Sequence, residues 1–90
     1  MTSKERSIQQ LRIIPGVGKS IANDLWRIGI TSVEDLKDRY PQELYDLSNQ
    51  QVGVVQDRCL LYVFRCAVYF ASKKKHDPEK LKWWNWKGTR

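Results

Sequence analysis

Leu11-Arg12-Ile13-Ile14-Pro15-Gly16-Val17-Gly18-Lys19-Ser20-Ile21-Ala22 is the stretch on which the reading of this chain turns. Two glycines two apart let the backbone take positive φ and let a bulky partner approach closely. Pro15 stiffens the turn and removes one donor. The amides of Gly18, Lys19 and Ser20 fall at the start of a helix, where unpaired N–H groups and the helix dipole favour an anion. Lys19 adds a full positive charge and Ser20 a hydroxyl, while Ile14 and Val17 plug the turn onto the flanking helices. The chemistry implied is a phosphate clamp. The alternative is a tight structural connection between antiparallel helices, which a bare Gly-x-Gly would favour. A β-branched residue at Gly18 is expected to strain the clamp, on the expectation of a positive φ there.

Outward from this turn the chain reads as helices, because no stretch alternates apolar and polar residues for long enough to make a strand. Thr2-Ser3-Lys4-Glu5 fits a capping box and opens a first helix to about Ile13. A second begins near Lys19, carries Ile21, Ala22, Leu25 and Ile28 on one face, and stops at Gly29. Thr31-Ser32-Val33-Glu34 reads as another capping box before a short third helix to about Arg39. Pro41 suits the first turn of a fourth, carrying Leu44 and Leu47, and Ser48 to Gly53 reads as a turn. A fifth, from about Val54 to Ser72, is apolar around most of its circumference, with Val55 and Cys59 in its main stripe, and is the expected central post. Asp77-Pro78 caps a short last helix that holds Trp83 and Trp84. The expected fold is therefore all-α: one compact domain of five to six helices over residues 1–90, ending in a basic, Trp-rich segment 73–90. A degenerate tandem, similar to sterile-alpha-motif folds, would place a second hairpin near Ser48–Gly53.

Charge supports a polyanion partner. The net charge is +6, unevenly placed: residues 1–30 carry five basic and two acidic side chains, residues 31–57 two and six, and residues 58–90 nine and two. The two ends would attract a polyanion while the acidic middle faces away. Lys73-Lys74-Lys75 would act through counterion release without reading sequence. Trp83, Trp84 and Trp86 either lie on the core or stack on unpaired bases; a small chain needs its large apolar groups, which favours packing. Arg58 and Arg65 are candidate cation–π partners for those rings.

Other chemistries find little support. Cys59 and Cys66 are seven apart on one helix, about 10.5 Å of rise, whereas a disulfide needs Cα atoms within roughly 7 Å; two buried, reduced thiols are expected. One His and no second Cys pair leave no zinc pattern. The carboxylates Glu34, Asp35, Asp38, Glu43 and Asp46 fall on exposed faces of short helices, so no catalytic residue and no cofactor is assigned. The polar N-terminus carries no signal peptide and the longest apolar run is too short to span a bilayer; a cytoplasmic protein with no membrane partner is expected.

The string Leu11-x-x-Ile14-Pro15-Gly16-Val17-Gly18-x-x-x-Ala22-x-x-Leu25, followed by Gly29-Ile30, resembles the helix-hairpin-helix motif of DNA repair and recombination proteins. With Asp57 to Tyr69 and the tail Leu81 to Lys87, nearly the whole chain is similar to a small bacterial family labelled helix-hairpin-helix or pathogenicity-locus proteins, a label that describes gene neighbourhood. The resemblance implies sequence-independent binding to the DNA backbone, with the amides of Gly16, Gly18 and Lys19 on phosphate oxygens. It also implies a monovalent cation against the carbonyls of Arg12, Ile14 and Val17. The expected DNA-binding set is Arg12, Pro15, Gly16, Val17, Gly18, Lys19, Ser20, Lys73, Lys74 and Lys75. The competing expectation is an all-α protein-interaction module, in which the acidic middle meets a protein partner.

Overall fold

The structure, a computed structural model, describes residues 2–87; residues 88–90 of the expected basic, Trp-rich segment lie outside them. Among the described residues there are four α-helices, three short 3-10 turns and no strands. Helix α1 (Ser3–Leu11) begins where Thr2 Oγ1 accepts the Glu5 N–H at 3.2 Å. It ends two residues before the expected Ile13, whose side chain is 65% exposed. Helix α2 (Lys19–Arg27) buries Ala22 and Leu25. Gly29, at φ +92°, closes it: its N–H reaches the Trp26 carbonyl (3.1 Å) and the Ile30 N–H reaches the Leu25 carbonyl (3.0 Å). That pairing is a Schellman motif, and its apolar contact is supplied by Leu25 and Ile30, both fully buried.

The expected third helix is a single 3-10 turn, Glu34–Leu36. Its cap lies one residue later than the sequence pattern implies. Ser32 Oγ accepts the Asp35 N–H (3.3 Å), and the Asp35 carboxylate accepts from the Thr31 N–H and hydroxyl, both at 3.0 Å. Those bonds, the Thr31 N–H foremost, hold the Asp35 pKa below its usual range, and Glu34 takes no part in the cap. Asp38, at φ 60°, turns the chain away after Leu36 is buried.

Helix α3 (Pro41–Val52) starts on its proline as expected but runs through the segment expected to turn. Ser48 is buried inside it and its Oγ accepts from Gln56 Nε2 at 2.9 Å. Gly53, at φ +78°, ends the helix. The connection to α4 is residues 53–58, pinned by Gln56: its N–H donates to Asn49 Oδ1 (2.9 Å) and its carbonyl accepts from the Tyr45 hydroxyl. The expected second hairpin at Ser48–Gly53 is thus helical backbone.

Helix α4 (Cys59–Ser72) starts five residues later than Val54, because the Asp57 carboxylate accepts the Cys59 N–H at 2.8 Å and sets the first turn there. Val54 and Val55 are therefore 65% and 83% exposed, outside the stripe in which Val55 was expected. Leu60, Leu61, Val63, Phe64, Cys66 and Ala67 are buried, and α4 packs on α3, on the Glu34–Leu36 turn and on the C-terminal segment. That segment forms two 3-10 turns, Pro78–Leu81 and Trp83–Trp86, in place of the expected last helix. Asp77 still caps it, accepting the Glu79 N–H at 2.9 Å. No helix of the described residues is long and apolar enough to cross a membrane.

Of the two thiols expected to be buried, only Cys66 is; Cys59 is exposed, and both are free. Burial pushes the Cys66 pKa up to about 11, and its Sγ lies 3.4 Å from the Leu81 carbonyl and 3.6 Å from that of Lys80. A neutral thiol suits those acceptors and a thiolate does not. Because the folded pKa is the higher one, this contribution is complete below the unfolded thiol's pKa and is lost as pH rises toward about 11. A thiol reagent is expected to label one cysteine in the native protein and two after denaturation. Urea midpoints are expected to fall over the same alkaline interval, and less so in Cys66→Ala.

Candidate nucleic-acid interface

Residues 12–18 join α1 to α2 in a turn held from inside. Ile14 and Val17 are buried, the Ile14 N–H reaches the Leu11 carbonyl (3.2 Å), and the Val17 N–H reaches the Ile14 carbonyl (3.0 Å). Val17 is thereby committed to the core, side chain and amide both. Pro15 is half-buried; Gly16, Gly18, Lys19 and Ser20 are exposed.

The two glycines do different things. Gly16 sits at φ +85°, as expected. Gly18 does not: at φ −90°, ψ −172° it is ordinary extended backbone at the N-cap of α2, so the strain expected at that position is absent. An added Cβ at Gly18 would meet nothing within 4 Å, whereas one at Gly16 would lie 2.8 Å from Trp83 Cδ1. Gly16 is filled by a tryptophan from the C-terminal segment, and Gly18 faces open space.

Helix α2 starts without a cap. Gly18 has no side chain to offer, no acidic residue stands in the first turn, and the first intrahelical bond to close is the Ala22 N–H on the Gly18 carbonyl (2.9 Å). Among the described residues the N–H groups of Gly16, Gly18, Lys19 and Ser20 have no acceptor. Arg12 and Lys19 line one shallow depression with Glu5, Ile8 and Gln9, which puts two of the expected cations beside those amides. The arrangement offers convergent donors and positive charge, with the Glu5 carboxylate in the same depression. Carbonyl oxygens are suitable hard ligands for the expected monovalent cation. The Ile14 carbonyl has one lone pair taken by Val17, and those of Arg12 and Val17 accept nothing among the described residues.

Lys73, Lys74 and Lys75 are exposed, and none of them lines the depression that holds Arg12 and Lys19. Cys66 Sγ lies 3.9 Å from the Pro15 carbonyl. Lys73 follows seven residues later, about 10 Å further along the helix axis. There Ser72 Oγ accepts the Asp38 N–H at 3.0 Å, beside the acidic Glu34–Leu36 turn. His76 is likewise structural, with Nε2 at 2.8 Å from the Phe70 carbonyl and its ring stacked on Phe70 at 4.8 Å. The described residues contain no group of three or more His, Cys, Asp or Glu able to hold a metal ion.

Two of the three tail tryptophans pack, the outcome favoured for a small chain. Trp83 lies on Gly16 and against the core. Trp86 donates from Nε1 to the Lys80 carbonyl (2.8 Å) and meets the Tyr69 ring at 5.5 Å. Trp84 remains 54% exposed. Arg65 stacks on Tyr62, at 5.5 Å, and donates to the Trp86 carbonyl at 2.8 Å, so it reaches the tail through backbone and not through an indole face. The docking of Trp83 on Gly16 was missed from sequence; the one available signal was a positive-φ glycine and a Trp cluster with no assigned partner.

Comparison with known proteins gives a consistent picture of kinship. A family described as Cdd1, pathogenicity locus, matches residues 4–90. A relative from Streptomyces lavendulae, the mitomycin resistance protein McrB, is 37% identical over 86 residues, which is 96% of this chain and 76% of the relative. No solved structure matches the chain.

The contrast between the glycines is measurable. Gly16→Ala combines a positive φ with a clash and is expected to cost about 2 kcal/mol or more by urea denaturation. Gly18→Ala is expected to cost about 1 kcal/mol or less, the difference between glycine and alanine at an N-cap. In a double-mutant cycle, Gly16→Ala and Trp83→Ala should be less than additive, because the second change removes the clash created by the first.

Proposed function

The chain belongs to the Cdd1 pathogenicity-locus family, and from that premise and the geometry of the 12–20 turn we propose that it binds the DNA backbone without reading sequence, through a helix-hairpin-helix module made by α1, the turn and α2. The observation that carries this reading is the uncapped start of α2. A helix N-terminus that leaves its N–H groups exposed, behind a glycine facing open space and beside Arg12 and Lys19, is built to receive an anion. A phosphate oxygen there accepts from the amides of Gly18, Lys19 and Ser20. Lys19 and Arg12 supply charge, and the Ser20 hydroxyl a further donor. The amide of Gly16 lies at the edge of this set, against Trp83. A monovalent cation on the carbonyls of Arg12, Ile14 and Val17 would add positive charge at the same phosphate. Lys73, Lys74 and Lys75 are outlying contacts for a longer stretch of DNA. The protein acts as a binding module in DNA repair, recombination or maintenance, with no catalytic step of its own. The relative's name, mitomycin resistance protein, is compatible with this reading and does not select it.

A protein-interaction module is the second reading. The observation favouring it is the exposure of Val52, Val54 and Val55 at the α3–α4 connection, on the side of the acidic middle of the chain.

Fluorescence-anisotropy titrations against single-stranded, duplex and branched DNA separate the two. With two phosphates neutralised by Arg12 and Lys19, affinity should fall roughly tenfold between 50 and 200 mM salt. Lys19→Glu should abolish most binding. Gly18→Asp is the sharper variant. Its carboxylate caps α2, adds a few tenths of a kcal/mol of stability over glycine, and occupies the amides a phosphate needs. A more stable protein that no longer binds DNA is the expected outcome, with Gly18→Ala retaining its DNA affinity. DNA affinity unchanged in Gly18→Asp and Lys19→Glu would refute the clamp.

A further inference from the structure

A cleft of about 470 Å³ opens beside the turn, between α2 and the start of α4, and Gly16 forms part of its wall. Its apolar sides are Ile21, Leu60, Val63 and the ring of Trp83. Its polar rim is Asp24, Gln56 and Asp57. The rim is dominated by acceptors, and the Cys59 thiol that also lines the cleft bears on the Asp57 carboxylate. Gln56 spends its Nε2 on Ser48 Oγ (2.9 Å) and Asn49 Oδ1 (3.1 Å), which leaves its Oε1. Asp57 is engaged by Cys59, whose N–H one oxygen accepts and whose thiol bears on the same carboxylate, which leaves Asp24 as the open carboxylate. Asp24 is half-buried and no donor among the described residues bonds its carboxylate. Burial raises its pKa against the opposing charge of Arg27, as expected of a carboxylate that has given up water without gaining a donor.

A cleft with apolar walls, one of them an indole, and an open carboxylate on its rim selects its occupant by chemistry. Two carboxylates exclude phosphate and acidic ligands from the cleft itself. An occupant that lays a flat face on the indole and brings adjacent N–H donors to Asp24 satisfies both features. Among the bases of DNA, the Watson–Crick edge of guanine alone offers two neighbouring donor groups, N1–H and the 2-amino group, which match the two oxygens of one carboxylate. Adenine and cytosine each pair a donor with an acceptor on that edge, and thymine flanks one donor with two acceptors. Pairing hides this edge in duplex DNA, so the guanine must be unpaired. We infer that this cleft takes an unpaired guanine of the strand whose phosphate sits on the turn, with Asp24 accepting from its Watson–Crick edge and Trp83 and the aliphatic wall against its face. The inference rests on the DNA-backbone reading and adds to it a preferred form of DNA.

The test uses the full chain and duplexes carrying one extrahelical G, A, C, T or abasic site, titrated by anisotropy at fixed salt. The G duplex should bind about tenfold or more tighter than the other four, in the range of one bidentate base contact. Asp24→Asn, close to isosteric and safe for folding, should erase that preference while leaving salt-sensitive binding to the abasic duplex. Guanosine monophosphate, followed by tryptophan quenching, tests the cleft apart from the turn. It should quench more than the adenosine, cytidine and thymidine monophosphates in the native chain and in Lys19→Glu, and lose that advantage in Asp24→Asn. Equal affinity for all five duplexes, with salt dependence intact, overturns the guanine site and leaves the backbone clamp standing. Quenching by guanosine monophosphate with no binding to any duplex overturns the DNA occupant in favour of a free guanine nucleotide. Loss of binding to both probes overturns the clamp and the cleft together.

Discussion

The close approach of Trp83 to Gly16 ties the two ends of the chain together, and much of the structure is arranged to permit it. A Cβ at Gly16 would stand 2.8 Å from the indole, so the contact exists only because the residue there has no side chain. For the indole to arrive, the chain must run down α4, reverse after Ser72, and return along the helix as two tight 3-10 turns. Asp77 starts that return, Trp86 clamps it to Lys80 and Tyr69, and Arg65 holds it by the Trp86 carbonyl. The Cys66 thiol lies among the carbonyls of Pro15, Lys80 and Leu81, so one residue of α4 touches both the turn and the returning tail. The turn is therefore backed by tertiary packing and does not depend on its local sequence alone.

The parts of this architecture legible in sequence were those governed by local chemistry. The Thr2, Pro41 and Asp77 starts and the Gly29 stop each depend on a side chain and the few backbone groups next to it. The misreadings have a common cause. Ile13, Val54 and Val55 continue an apolar periodicity beyond the point where the helix is needed, and periodicity cannot report that a neighbour is absent on that side. The α4 boundary was set by Asp57, a short-range carboxylate bond that outweighs the apolar pattern of Val54 and Val55. At residues 31–35 two overlapping capping patterns competed, and the one made by Ser32 and Asp35 prevailed. Ser48, polar and expected in a turn, is buried because Gln56 reaches back to it, a partner eight residues away that no local rule supplies.

For the candidate site, sequence identified the turn and its cations but not the division of labour within it. Positive φ was expected at both glycines, and only Gly16 has it. The three lysines after α4 were grouped with Lys19 as DNA contacts, yet none of them lines the depression shared by Arg12 and Lys19, and they follow Ser72, whose Oγ accepts the Asp38 N–H. Which charges share a face is a property of the packing, and the connection lengths that determine it were themselves misjudged at 48–58.

The uncapped start of α2 is the feature least well explained by stability. Gly18 has the extended backbone in which serine or aspartate caps a helix, with open space where the side chain would go. A capping side chain there would stabilise the helix by a few tenths of a kcal/mol over glycine, and no steric reason forbids it. Gly16 has such a reason, in Trp83. Thr2, Ser32, Asp57 and Asp77 serve as caps or cap-like acceptors at four other starts, while α3 begins uncapped on Pro41, whose ring needs no N–H partner. Helix α2 has neither device and keeps donors that an external anion can satisfy. Binding then returns to the folded state the stabilisation that the missing cap withholds, in proportion to how far the ligand concentration exceeds its dissociation constant. On this view the second glycine of the turn is retained for what it leaves open, and the first for what it lets in.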